Sequence, residues 1–403
     1  MPGTELFGAE ERKEIEDVLS TGVLFRFNHD AQRNNFWKAK DFEAEVINIT
    51  HAKYALAVSN GSAAIMAALA ASGIGVGDEI ICPPFTYIAT VEAILMLGAL
   101  PVFAEIDETL CLSAEGIKQA ITSKTKGVCL VHMCGGNANM DEIMAVINHH
   151  KLILVEDAGQ AFAASYKGIY TGLFGKAGAY SFDFFKIATA GEGGIFVTND
   201  ETTFKLADNF CDHGHDHQGN NRGMEKHPII GFNFRISELH AAVGVAQTRK
   251  VPAIRLQNLK NKTFLQNHLS KTKGISFSKL GDEQGDSATF LNLLLPNKDI
   301  AMRVVEEMNK IGLSGFNYWY TNMYHFINQW DHIKNLNTAA KLAIEVFGTP
   351  QDYNNLNLPK TQEVVGRLIS FGIRCSWTEE QMIELTSNIS ACVNKAQQSV
   401  IFS

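Results

Sequence analysis

Apolar positions along the chain follow two rhythms. Over residues 9–20 (AEERKEIEDVLS), charged residues fall on one face and Ile15, Val18 and Leu19 on the other, at helical spacing. From about residue 55, short apolar runs alternate with helical stretches. The runs predict strands over 55–58, 79–81, 101–104, 127–132, 152–156, 179–182 and 194–198, and helices over 63–71, 90–97, 114–121 and 140–149. Strands apolar on both faces and separated by helices predict an α/β fold, a mostly parallel seven-stranded sheet with helices over it. Residues 205–250 are polar and rich in Gly, His and Asn, then helical from Ser237 to about Arg249. Beyond Pro252 the regularity fades into longer helical patterns and a few short strands. A large domain with an N-terminal arm is therefore expected over 1–250 and a smaller C-terminal α+β domain over 251–403. No internal repeat or low-complexity tract stands out.

Composition narrows the classes. The chain has 403 residues, 46% of them hydrophobic, enough for more than one domain. A formal net charge of −8 argues against a nucleic-acid partner, since such domains carry a basic excess. The N-terminal MPGTELFGAEERKEIEDVL has early charges and no long apolar run, unlike a signal peptide. The most apolar stretch, ILMLGALPVF, is too short to span a bilayer, so no membrane partner is expected. Seven scattered cysteines without a CxxC pair suit reduced thiols in a cytoplasmic protein.

Three clusters carry candidate chemistry. In SNGSAAIMAALAA (59–71), Gly61 follows a strand and Ser62-Ala63 opens a helix, where backbone N–H groups can receive an anion. An ordinary strand-turn-helix with a serine cap reads the same way. In VEDAGQA (155–161), Glu156 and Asp157 close an apolar strand at the edge where open α/β sheets gather ligands; Asp157 could balance a protonated ring nitrogen or cap a helix. In YSFDFFKIATAGEGG (180–194), Lys186 lies among Phe182, Phe184, Phe185 and Ile187. Desolvation lowers the proton affinity of such an amine and makes it a nucleophile, although a snorkelling lysine also fits. Ser181 and the GEGG turn beside it favour a ligand-contacting loop.

The order GSAA, PPFTYIAT, VHMCG, VEDAGQA, SFDFFK, GEGG and GFNFRISELHAAVGVAQ resembles the DegT/DnrJ/EryC1/StrS family of sugar aminotransferases. The resemblance runs from about residue 5 to at least 250, and more thinly beyond. It implies fold type I, the aspartate-aminotransferase-like fold of pyridoxal 5'-phosphate (PLP) enzymes. It implies that Lys186 holds PLP covalently and then shuttles a proton, and that Asp157 pairs with the ring nitrogen so that the ring acts as an electron sink. Gln160 would sit near the phenolic oxygen and Tyr87 would stack on the ring. The phosphate would take backbone donors from the Gly61 turn, at Ser62 and Ala63, and the hydroxyl of Ser181. Asn233 would reach the phosphate of a neighbouring subunit, which requires a homodimer with shared sites.

Departures from the family pattern are local. Gly159 replaces a common alanine, Cys134 a common tyrosine and Asp183 a frequent histidine, and the RLISFGIRCSWTEEQ segment lacks the usual proline-rich wording. Relatives with histidine at the lysine position are sugar dehydratases, so Lys186 favours amine transfer. A PLP-binding regulator would need a fused DNA-binding module, and no basic helix-turn-helix extension is seen. The wording of VLFRFNHDAQRNN and SFDFFK is closer to the branch that makes 8-amino-3,8-dideoxy-manno-octulosonate, an enzyme of lipopolysaccharide synthesis whose acceptor is the C8 aldehyde of an oxidised sugar acid. The alternative acceptor is a nucleotide-linked keto sugar, and the expected donor is L-glutamate. Arg26, His29 and Arg33 are candidates for the sugar's carboxylate, or else for holding the arm or a dimer interface. In CDHGHDH (211–217), alternate histidines do not match the common zinc spacings, so no metal is assigned; His213 and His215 are instead candidate substrate contacts. The aromatic run FNYWYTNMYHF (316–326) reads equally as a sugar-binding wall and as core.

Overall fold

The computed structural model describes residues 2–219 and 221–401. Nine strands form in the first half: β1 (Tyr54–Val58), β2 (Glu79–Cys82), β3 (Leu100–Phe103), β4 (Thr125–Val131), β5 (Ile153–Asp157), the short β6 (Ser165–Tyr166) and β7 (Ile169–Tyr170), β8 (Ala177–Ser181) and β9 (Gly194–Thr198). All but the β6–β7 hairpin join one seven-stranded sheet in the order β1-β9-β8-β5-β4-β2-β3. Strand β9 is antiparallel to both its neighbours, and every other pair is parallel. This is the expected mostly parallel sheet, each strand within two residues of its predicted bounds.

Burial on both faces explains the apolar runs. The helices Gly61–Ala71 and Ala89–Met96 pack into one core with Ile80, Phe103 and Phe196. On the opposite side, the helices Lys38–Thr50 and Glu238–Leu269 supply Phe42, Val46 and Ile254 to a core that holds Phe162 and Phe182. The Phe42 and Phe182 rings meet edge to face at 4.7 Å, and Phe162 tilts against Phe182 at 4.9 Å. This aromatic floor lies beneath the loop that carries Lys186. Truncating a buried phenylalanine there would cost about 3–5 kcal/mol, so the loop rests on a stiff base.

The C-terminal part contributes β10 (Ser276–Phe277), β11 (Phe290–Leu294), β12 (Phe316–Tyr318) and β13 (Leu368–Gly372), all antiparallel, in the order β10-β11-β13-β12. Helices Lys298–Lys310 and Glu379–Ile401 cover this smaller sheet. The chain does not break at residue 250. One helix runs from Glu238 to Leu269 with Pro252 inside it, its start capped by Ser237 Oγ accepting from the His240 N–H at 3.2 Å. Proline removes one rung of the ladder, and packing on both domains maintains the rest. The expected separation is crossed again further on. Phe326, Trp330, Ile333 and Tyr353 return to the core of the large sheet, where the Tyr353 hydroxyl donates to the Pro101 carbonyl at 2.6 Å.

Candidate active site

The C-terminal ends of β5 and β8 bring the principal groups to one edge of the sheet. Asp157 ends β5 and is buried. Its carboxylate accepts from the Thr90 hydroxyl at 2.6 Å and from the Gly159 N–H at 2.9 Å, so both oxygens are oriented. Thr86 supports Thr90 through a hydroxyl contact of 2.9 Å. The neighbouring Glu156 faces the other way and is structural: it accepts from the N–H groups of Gly172, Phe174 and Gly175 and meets His132. Alternation along a strand separates the two carboxylates into two jobs.

Lys186 follows β8 on a tight turn, in which its N–H donates to the Asp183 carbonyl at 3.1 Å. Burial lowers its amine below the usual lysine range, and Asp183 and Asp157 offset only part of that. No hydrogen bond or ion pair holds its amine among the described residues. A desolvated, uncommitted amine beside an oriented carboxylate has the chemistry of a nucleophile or a proton carrier.

The phosphate candidates lie at the start of helix Gly61–Ala71. Asn60, not a serine, caps this helix: its Oδ1 accepts from the Ala63 N–H at 2.8 Å. Ala63 therefore does not supply the free donor expected of it. Gly61 and Ser62, ahead of the first intrahelical bond, keep N–H groups directed outward. A methyl group on Gly61 would lie 2.8 Å from Ser181 Cβ and 2.9 Å from its Oγ, and one on Gly194 would strike the Asn60 carbonyl. Glycine at both places lets the Ser181 hydroxyl approach the helix start, where an anion could be received.

Two more predicted residues join this edge. Tyr87 is 45% exposed, with its ring 5.4 Å from His325 and 6.3 Å from Tyr324. Gln160 Oε1 accepts from the Cys134 N–H at 3.0 Å, and its Nε2 lies 3.4 Å from His325 Nε2. The 316–326 run thus divides: Trp319 and Phe326 are core, whereas Tyr324 and His325 face the site. His325, Thr90 and Asn60 had no role in the sequence reading. Thr86 lies in the turn before the helix that begins at Ala89 and Thr90 in its first turn, so no helical periodicity links them in the sequence. Asn233 sits on an exposed segment beside the end of β1, where the Ser59 N–H donates to the Phe234 carbonyl at 2.7 Å.

The arm residues are placed elsewhere. Arg26 is 6% exposed and donates to the Ala57 carbonyl and to Glu43. Arg33 is 1% exposed; it donates to the carbonyls of Phe25, Phe27, Asn28 and Phe36 and lies over the Trp37 ring. Both guanidinium groups are committed to folding the arm, so neither is available for a substrate carboxylate. His29 is exposed, its ring on Gln32. The histidines of the 211–217 loop diverge. His213 is exposed, His215 faces Glu225 at 2.8 Å, and His217 bridges Asp208 and Asp212. Arg222 and Arg235 also converge on Asp212, which is buried. Burial alone would raise that carboxyl, but His217, Arg222 and Arg235 outweigh it and hold it well below the usual range.

A mostly parallel sheet with a half-buried lysine, an oriented aspartate and an open helix start at one edge is the architecture of a fold type I PLP enzyme. The sequence signature of the DegT/DnrJ/EryC1/StrS aminotransferase family matches residues 8–389, and the chain belongs to that family. Its members are PLP-dependent. GDP-perosamine synthase of Escherichia coli O157:H7 is 40% identical over 246 residues, which are 60% of this chain and 63% of that protein. The matched part is thus less than two thirds of that relative's length. Among solved structures, an aminotransferase from Psychrobacter cryohalolentis superposes with a TM-score of 0.83 at 27% identity, covering 97% of this chain and 98% of the other. A GDP-4-keto-6-deoxymannose-3-dehydratase with a trapped PLP-glutamate geminal diamine superposes with a TM-score of 0.80 at 22% identity, covering 95% and 98%. The last likeness is one of fold.

The residues at the edge fit PLP. The Gly61 turn and Ser181 suit its phosphate, Asp157 suits a protonated ring nitrogen, and Lys186 suits its aldehyde. Among the described residues, no helix is long and apolar enough to cross a membrane.

Proposed function

We propose that this chain is a PLP-dependent aminotransferase that moves an amino group from L-glutamate to the carbonyl of a sugar. The observation that carries the reading is the half-buried Lys186, its amine lowered in proton affinity and uncommitted, at the same sheet edge as the doubly oriented Asp157. Bound PLP would supply an electron sink for the bond-breaking at the substrate carbon. Asp157 would hold a proton on the ring nitrogen, with Thr90 and the Gly159 N–H keeping the carboxylate aimed. Lys186 would carry the proton between substrate carbon and cofactor, a role suited to an amine that titrates below the ordinary lysine range. Gly61, Ser62 and Ser181 would anchor the phosphate, and Tyr87 would cover the ring. A cytoplasmic homodimer, with Asn233 reaching the partner's site from its exposed segment, belongs to the same proposal.

Two acceptors are in contention. The names of the relatives support a nucleotide-linked keto sugar. The wording of the arm and of SFDFFK supports the 8-oxo octulosonate that would become 8-amino-3,8-dideoxy-manno-octulosonate for lipopolysaccharide. The burial of Arg26 and Arg33 removes two residues offered for that acid's carboxylate, which weighs toward the nucleotide sugar.

Two measurements test the proposal. The purified holoenzyme should show the visible band of a lysine-linked cofactor, and glutamate should convert it to the amine form of the cofactor. Absence of the band, or no response to glutamate, overturns the aminotransferase reading. Turnover of the glutamate-loaded enzyme with each acceptor then assigns the sugar: product from the octulosonate alone would reverse the preference stated above.

A further inference from the structure

His325 lies at the centre of a hydrogen-bonded chain whose direction is set at both ends by backbone. At one end the Cys134 N–H donates to a side-chain atom of Gln160, which must therefore be the amide oxygen, leaving the NH2 toward His325. At the other end the Tyr324 N–H donates at 3.0 Å to a side-chain atom of Asn322, again necessarily the oxygen. That same oxygen lies 2.8 Å from His325 Nδ1. An acceptor facing Nδ1 and a donor facing Nε2 permit one arrangement: the ring proton is on Nδ1 and Nε2 accepts from Gln160.

We propose, resting on the PLP reading above, that His325 is a positioning residue: a neutral imidazole, protonated on Nδ1, that locks the Gln160 amide so that its remaining N–H is presented to the bound cofactor.

The surroundings hold the ring in place and uncharged. It meets Trp319 edge-on at 4.8 Å and tilts against Tyr87 at 5.4 Å. Its carbonyl accepts from the Thr86 N–H at 3.0 Å, tying it to the turn that carries Tyr87. The titratable groups around it are Lys186 and Tyr87, with Tyr324 stacked on Tyr87. Burial, and then the charge of Lys186, push His325 down to about 3. A protonated ring would turn a second N–H toward the Gln160 NH2, and the chain would break. The Gln160 amide would then lose the acceptor that fixes its NH2, and its orientation would no longer be set at that end.

The first test needs no cofactor and no turnover. With 15N-labelled histidine in the cofactor-free protein, NMR should show His325 neutral at pH 5 with its proton on Nδ1. A ring protonated at pH 5, or one carrying its proton on Nε2, overturns the assignment. The second test uses the holoenzyme. A donor to the phenolic oxygen stabilises its anionic form, so His325→Phe should raise the pH midpoint of the visible band by about one unit, a tenfold change in the protonation equilibrium. His325→Gln, which can again accept from Gln160, should recover part of that shift. An unchanged midpoint in His325→Phe, with its band intact, sinks the positioning role. Should His325→Phe fail to fold, Asn322→Leu, which removes the acceptor for Nδ1, should let the Nε2–H tautomer appear; a tautomer unmoved by that change also refutes it. If wild-type protein binds no PLP at all, the function proposal fails while the NMR result still judges the hydrogen-bonded chain.

Discussion

Two polar regions of this molecule attracted functional readings, and they treat charge in opposite ways. Around Asp212, burial is matched by saturation: His217, Arg222 and Arg235 all converge on one carboxylate. Phe27 of the arm stacks on His217 at 4.4 Å, and Arg222 lies over Phe25 and Phe27. At the sheet edge, burial is met by restraint: Asp157 is oriented by neutral donors, and the Lys186 amine has no charged partner at hydrogen-bonding distance among the described residues. Saturated charges stabilise a shape, whereas a buried charge left open keeps its free energy for a ligand. Richness in His, Arg and Asp does not mark the candidate site; the uncommitted amine does.

The sharpest way to break this contrast is Lys186→Ala. Amino transfer should fall by at least about 10²-fold, the scale of a lost proton-transfer group, and the lysine-linked band should vanish. Urea unfolding should be unchanged or slightly improved, since no partner is orphaned. A large loss of stability would place Lys186 among the structural charges. Next in size, Asp212→Asn should destabilise the fold by about 3–5 kcal/mol, because two guanidinium groups and His217 lose their buried counter-charge. The visible band of the surviving folded protein should be unaltered; a lost band at unchanged stability would move this cluster into the active site. Arg33→Lys should cost about 1.5–3 kcal/mol by the same unfolding measurement, since an ammonium cannot serve four carbonyls from one fork. An altered KM for the sugar, with stability intact, would restore Arg33 as a substrate contact.

The smallest effect is a pH dependence. Burial lowers His217, but Asp208 and Asp212 outweigh it and push the group up to about 9. A folded value above the ordinary histidine range means that its stabilisation is fully present below about pH 6.5 and is lost as pH rises through about 9. The stability gap between the parent and His217→Gln should therefore shrink over that window. A gap that widens with pH would contradict the ion pairs.

Much of the candidate site's placement could be read from the chain because its elements are local. Gly61, Asp157, Ser181 and Lys186 each sit one or two residues from a strand end, and strands with two apolar faces are easy to place. What escaped was set by long-range contacts. Arg26 and Arg33 resemble ligand-binding arginines until the carbonyls they serve, such as those of Phe25, Phe27 and Ala57, fold back on them. Ala63 loses its free N–H to a cap one turn earlier, on a residue whose side chain the SNGS wording did not distinguish from the serines around it. His325 is brought to Gln160 from 165 positions away, and no periodicity encodes that meeting. The polar 205–235 stretch and the change of rhythm after Pro252 suggested a boundary where the backbone continues as helix.

That helix has a mechanical consequence. Thirty-two residues at 1.5 Å each make a rod of about 48 Å, the width of a sizeable domain. With Phe326, Trp330, Ile333 and Tyr353 docked back on the large core, the small sheet is tied to the large one at a second point besides this helix. Under the proposed function, a sugar would enter past the rim, where Tyr87, Tyr324 and Phe185 are exposed.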